Sequence, residues 1–132
     1  MKITWIDIPT VQDPRGNLAI LEHGGLPFDF KRVFYLFDVP SGSSRGGHAL
    51  QTTDQLLIPI SGSFEVVLKN GVDTKKVVLN NPSKGLLISA MTWRELHYFS
   101  AGSVCLVLAS EKYDEGDYIR DWSEFLSATS QP

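Results

Sequence analysis

Of the three histidines in this chain, His48 has the most telling company. It lies in Ser44-Arg45-Gly46-Gly47-His48-Ala49. An imidazole with an unperturbed pKa of ~6.5 can both take and return a proton near neutral pH. Arg45, in the same stretch, offers a guanidinium whose paired N–H groups suit a small anion. Arg15, Arg32 and Arg94 are further candidates for an anionic ligand, although most arginines are surface charges. Tyr35 alternates with Val33 and Phe37 along one face of a predicted strand, and the pattern leaves open whether that face is core or pocket. His97 follows Trp93-Arg94-Glu95-Leu96 and reads as a surface or partly buried structural residue, second to His48 as a site residue. His23, beside Gly24-Gly25, reads as a solvated loop residue.

Short strands are what must position these groups. Asp13-Pro14-Arg15-Gly16 is a turn signal leading into a strand over residues 17–22, with Pro setting φ and Gly at the exit. Residues 32–39 are rich in β-branched and aromatic side chains and stop at Pro40-Ser41-Gly42, as a strand does. Residues 55–59 and 63–68 flank Ser61-Gly62, and Asn70-Gly71 is a hairpin signal between residues 64–68 and 75–79. Residues 86–89 and 103–109 are two more apolar runs. Eight or so strands with turn signals every ~8–12 residues predict an antiparallel sandwich or barrel, not a βαβ fold. Ile119, Trp122, Phe125 and Leu126 fall at helical spacing with Asp117, Asp121 and Glu124 outside, which predicts one C-terminal helix. The small, polar tail after Leu126 is expected to fray.

The 132 residues suffice for one domain with one core. With 42% hydrophobic and 20% charged residues the composition is that of a globular protein. The apolar runs, Val104 to Ala109 among them, are strand-sized, far short of the ~20 residues of a membrane helix. Met1-Lys2-Ile3-Thr4-Trp5 passes directly into sequence of folded character, so no cleavable leader is expected. A net charge of −3 argues against nucleic acid or anionic membrane as partner, but leaves room for a small anion bound by a few arginines. The single Cys105 has no internal disulfide partner and apolar neighbours, so a cytoplasmic protein is expected.

Gly42 is followed after five residues by His48, and Gln55 after six by Gly62. This spacing resembles the Gly, His-x-His, acid, Gly frame of the cupin jelly rolls, whose metal-binding members use two His and a Glu. Here the second His position is Leu50 and the acid position is Gln55. A transition metal takes three or four N, O or S donors, and one imidazole with one amide falls short, so no metal is expected.

Five blocks carry a narrower likeness: Asp13-Pro14-Arg15-Gly16-Asn17-Leu18, Lys31-Arg32-Val33-Phe34-Tyr35, the His48 block, Trp93-Arg94-Glu95, and Val107 to Ser110 continuing through Tyr113-Asp114-Glu115 to Asp117-Tyr118-Ile119-Arg120. Together they resemble the nucleotide-sugar 3,4-ketoisomerases, metal-free cupins acting on thymidine-diphosphate-linked 4-keto-6-deoxyglucose, over Ile6 to Leu126. The resemblance implies an all-β cupin, a jelly-roll sandwich barrel with a short C-terminal helix, spanning 1–132 as a single domain. It implies proton transfer through an enediol, with His48 as the first of the family's two histidines and Leu50 in the place of the second. Tyr35 is then the candidate acid, and Arg15, Arg32, Arg45, Gln55 and Arg94 the candidate substrate contacts. It further implies no cofactor, a homodimer paired through its sheets, and a role in supplying surface-polysaccharide precursors. Two other functions stay open: a sugar-nucleotide-binding module without turnover, and a related epimerase.

Overall fold

The computed structural model describes residues 1–130. The chain begins with β1 (Thr4–Asp7), a small hairpin of β2 (Thr10–Val11) and β3 (Leu18–Ala19), then β4 (Arg32–Leu36) and β5 (Arg45–Leu50). It continues through β6 (Gln55–Ser61), β7 (Phe64–Lys69), β8 (Thr74–Leu79), β9 (Lys84–Ile88), β10 (Trp93–His97) and β11 (Val104–Ala109). A 3-10 turn (Glu115–Asp117), β12 (Tyr118–Ile119) and α1 (Trp122–Thr129) finish it. One sheet has the order β1-β9-β6-β11-β4, the other β12-β5-β10-β7-β8. Neighbouring strands run antiparallel in both. The two sheets face each other as an open sandwich, not a barrel closed by hydrogen bonds. No helix among the described residues is long and apolar enough to cross a membrane.

Strand alternation sets which side chains meet. Leu57, Phe64, Leu68, Leu86, Leu96 and Val107 fill the space between the sheets. Their neighbours Leu56, Ile58 and Leu108 point the other way and are covered by Leu21, Leu26 and Phe28, from the long connection between β3 and β4. That cover explains why residues 55–59 read as a continuous apolar run: both faces of β6 are buried. On the far side of the second sheet, Trp122 and Phe125 of α1 pack on Ala49, Trp93 and Ile119.

The turn chemistry is local. Asn70 Oδ1 accepts hydrogen bonds from the N–H groups of Val72 (2.9 Å) and Asp73 (2.7 Å), while Gly71 takes φ +96°. The hairpin is thereby two residues longer than Asn-Gly alone requires. The C-terminal helix departs from expectation. Asp117 is buried, not on an outer helical face, and Ile119 is paired with Ala49 in a strand. The Asp117 carboxylate accepts from the Thr52 amide (2.8 Å), the Thr52 hydroxyl (2.9 Å) and the Thr53 hydroxyl (2.5 Å). These bonds tie the segment to the end of β5, and the helix starts only at Trp122. It then runs to Thr129, past Leu126 where fraying was expected; Gln131 and Pro132 lie outside the described residues.

Candidate active site

Registers across the second sheet assemble the site. Arg94 of β10 lies opposite His48 of β5, and Tyr118 of β12 opposite Leu50. Directly opposed residues project from the same face, and His48 and Leu50, two apart, share that face too. It is the inner one. Gln55, first residue of β6, faces it from the other sheet. Between them opens a cavity of about 330 Å³, with Arg45, His48, Gln55, Arg94, Tyr118 and Arg120 as its polar wall and Phe34, Leu57 and Val107 among its apolar residues. The volume is within the range of small-ligand sites.

Arg94 is the most unusual charge in the molecule, at 1% exposure. Its Nη1 donates to Gln55 Oε1 (2.6 Å), and its Nε and Nη2 to the Thr92 carbonyl (3.3 and 3.1 Å). All these partners are neutral. Burial draws the Arg94 pKa down to about 10, with attraction to Tyr118 and Asp117 opposing it. It is therefore still a cation at neutral pH. A buried charge without a counter-ion is costly, and an anionic ligand would relieve the cost. Arg120, at the same cavity, is paired with Glu115 (3.0 Å from both Nε and Nη2) and stacks 4.4 Å over the Tyr118 ring. Arg45 is the third guanidinium on the wall.

These charges act on His48. Burial, and then the positive charge of Arg94, press its pKa down to about 4; a backbone hydrogen bond to Gly46 opposes this, and Arg120 and Arg45 add to it. The imidazole is neutral at physiological pH and can accept a proton. A bound anion would offset the guanidinium charges and make the imidazolium easier to form. The His48 and Tyr118 rings lie 5.3 Å apart.

Four of the residues singled out in the sequence, Arg45, His48, Gln55 and Arg94, meet in this cavity. Three do not line it. Tyr35 is 59% exposed on the outer face of β4, because Phe34 and Leu36 take the inner positions of that strand. Arg15 projects from an exposed turn and pairs with Asp13 (2.8 Å). Arg32 lies over the rings of Phe34 and Tyr113. Leu50 is wholly buried and does not reach the cavity wall, where its cross-strand neighbour Tyr118 stands instead. His97 is structural: on the outer face its Nδ1 meets Ser44 Oγ (2.7 Å) and its Nε2 meets Glu95 (3.1 Å). His23 is not merely solvated, since its Nε2 lies 3.1 Å from the Phe30 carbonyl oxygen.

Tyr118 and Arg120 were not picked out as site residues. Their signal was present in the Tyr113 to Arg120 block, but only the β12–β5 pairing carries that block to His48. Among the described residues, no three His, Cys, Asp or Glu side chains converge as a metal-ligand set.

Two facing antiparallel sheets, with a neutral histidine and three guanidinium groups lining one cavity, define a cupin-type protein with a cationic site. The family model described as "FdtA: WxcM-like, C-terminal" matches residues 1–130, and the chain belongs to that family. It is 40% identical over 121 residues to the TDP-4-oxo-6-deoxy-alpha-D-glucose-3,4-oxoisomerase of Aneurinibacillus thermoaerophilus, covering 91% of this chain and 87% of the relative. Among solved structures, the sugar 3,4-ketoisomerase QdtA of Thermoanaerobacterium thermosaccharolyticum, in complex with TDP, superposes with a TM-score of 0.93 at 39% identity, covering 96% of this chain and 93% of QdtA. A 3,4-ketoisomerase from Helicobacter canadensis gives 0.94 at 40% identity over 99% of each chain.

Proposed function

We propose that this chain, 1–132, is a single-domain isomerase that moves the ketone of a TDP-linked 4-keto-6-deoxyglucose from C4 to C3. The observation that carries this is His48, a half-buried neutral base, in one cavity with Arg45, Arg94 and Arg120. The relatives that are 3,4-ketoisomerases, at about two-fifths identity over nearly the whole chain, give the substrate class. His48 takes the proton from C3, next to the ketone, and an enediol forms. The imidazolium then returns a proton to C4. Arg94, held by neutral partners, stabilises negative charge that develops on the sugar oxygens. Arg45 is the contact for the diphosphate.

We infer a homodimer, supported by the outer face of β4. This strand ends its sheet and exposes Val33 and Tyr35, with Phe37 exposed just beyond its end, an open edge and an apolar face that a second copy would cover. A cytoplasmic place in the supply of deoxysugars for surface polysaccharide fits that substrate. Binding without turnover is the competing function, favoured by Leu50, a residue unable to carry a proton where the resemblance implies a second histidine.

The decisive experiment follows TDP-4-keto-6-deoxyglucose with the purified protein in deuterated water by proton NMR. Loss of the C3 proton and growth of the 3-keto isomer are expected, with kcat/KM dropping only as pH falls toward about 4, where His48 of the free protein protonates. Thermal stabilisation by TDP with neither exchange nor isomer would overturn the isomerase in favour of the binding module.

A further inference from the structure

Resting on that isomerase reading, we propose that Tyr118 is the second proton carrier of the site: its phenol moves the oxygen-bound proton while His48 moves the carbon-bound one.

The chemistry demands two carriers. As the C3–H bond breaks, its electron pair becomes the C3=C4 π bond, the carbonyl pair moves onto O4, and O4 takes a proton. In the second half O3–H gives up its proton, that pair forms the C3=O bond, and the double-bond electrons take a proton at C4. One imidazole serves the carbon proton in both halves. The oxygen proton needs a neutral donor that becomes an acceptor in the next step, and is restored at the end.

Among the described residues that line the cavity, five side chains titrate: Arg45, His48, Arg94, Tyr118 and Arg120. The guanidinium groups remain protonated and cannot accept, and this includes Arg94. With His48 engaged at carbon, the phenol of Tyr118 is left. Its place is built by the fold. Ile119 pairs with Ala49 and Tyr118 with Leu50, which puts the Tyr118 side chain on the same inner face as His48, with ring centroids 5.3 Å apart. The residue before it, the buried Asp117, is itself anchored by hydrogen bonds from Thr52 and Thr53.

Two guanidinium groups flank the phenol between the two halves of the reaction. Arg120 stacks 4.4 Å over the Tyr118 ring. Arg94 is close enough for the Tyr118 hydroxyl to act on its charge. Both cations are anchored from elsewhere, Arg120 by Glu115 and Arg94 by Gln55 and Thr92. Leu50 needs no proton chemistry of its own on this account, since its cross-strand neighbour supplies it.

Tyr118→Phe keeps the ring against His48 and Arg120 and removes only the hydroxyl. Its kcat is expected to drop by about 100-fold or more, while KM and TDP affinity stay within about threefold of wild type. Tyr118→His, which returns a proton carrier to that face, is expected to exceed Tyr118→Phe by about tenfold. Tyr118→Phe turning over within about threefold of wild type overturns the proposal and leaves the isomerase standing. A matching loss of TDP affinity and melting temperature overturns it too, because the hydroxyl would then serve binding or folding. No gain in Tyr118→His over Tyr118→Phe also counts against it. A wild-type protein that turns over no TDP-4-keto-6-deoxyglucose overturns both readings together.

Discussion

Strand β4 separates two surfaces that invert the usual arrangement of a small protein. Inward, Phe34 and Leu36 border a cavity that holds three guanidinium groups, one of them 1% exposed. Outward, Val33, Tyr35 and Phe37 hold apolar and aromatic surface in solvent at 50%, 59% and 59% exposure. The charge of Arg94 is inside and hydrocarbon outside, across one strand and the wall it faces, while Arg45 and Arg120 are themselves exposed. Ordinary folding energetics favours neither, since burying an unpaired cation and exposing a contiguous apolar patch both cost free energy. Such costs are tolerated where binding removes them. On the proposed function, a bound anion relieves the inner cost and a second copy of the chain the outer one.

The comparison can be broken most sharply from the inside. His48→Asn should keep the cavity's positive charge while removing its base, so turnover falls by roughly 10²–10⁴-fold and TDP affinity stays within about threefold, read by NMR assay and calorimetry. An equal fall in both would mean that His48 serves the cavity's shape and not its chemistry. From the outside, Tyr35→Glu combined with Phe37→Glu should turn the proposed dimer into a monomer by sedimentation, because each carboxylate would have to be desolvated at the interface. Both side chains are already exposed in the single chain, so its fold should persist, with an unchanged far-ultraviolet spectrum. Persistence of the dimer would place the interface elsewhere. The smallest effect tests the charge itself. Gln55→Glu sets a carboxylate where Oε1 accepts from Arg94 at 2.6 Å, satisfying the cation without a ligand. TDP should then bind about tenfold more weakly, ~1.4 kcal/mol, and unchanged affinity would show that Arg94 does not draw the anion in.

Much of this molecule was legible in the order of its residues. Short alternating runs, Asn70-Gly71 and the other turn residues point to an antiparallel sandwich because strand period and turn stereochemistry are local properties. Arg45 and His48, three apart on β5, would point to opposite faces by strict alternation; a register irregularity against β10, where Leu96 faces Arg45 and Arg94 faces His48, brings both to the cavity. Gly47, between them, is explained only by packing, since a Cβ there would sit 2.5 Å from the Trp93 indole. Tyr35 shows where local pattern stops. Both faces of β4 carry large apolar residues, and alternation says which side chains share a face but not which face is inside; the neighbouring β11 decided that. Asp117 and Ile119 fit helical spacing, yet Thr52, Thr53 and Ala49, some 65 to 70 residues away in the chain, hold Asp117 in a 3-10 turn and Ile119 in a strand. The types of group able to do chemistry here were thus set by sequence alone. Which of them meet, with what charge and at what burial, was decided by strand register between distant segments, because register brings together residues that no local spacing relates.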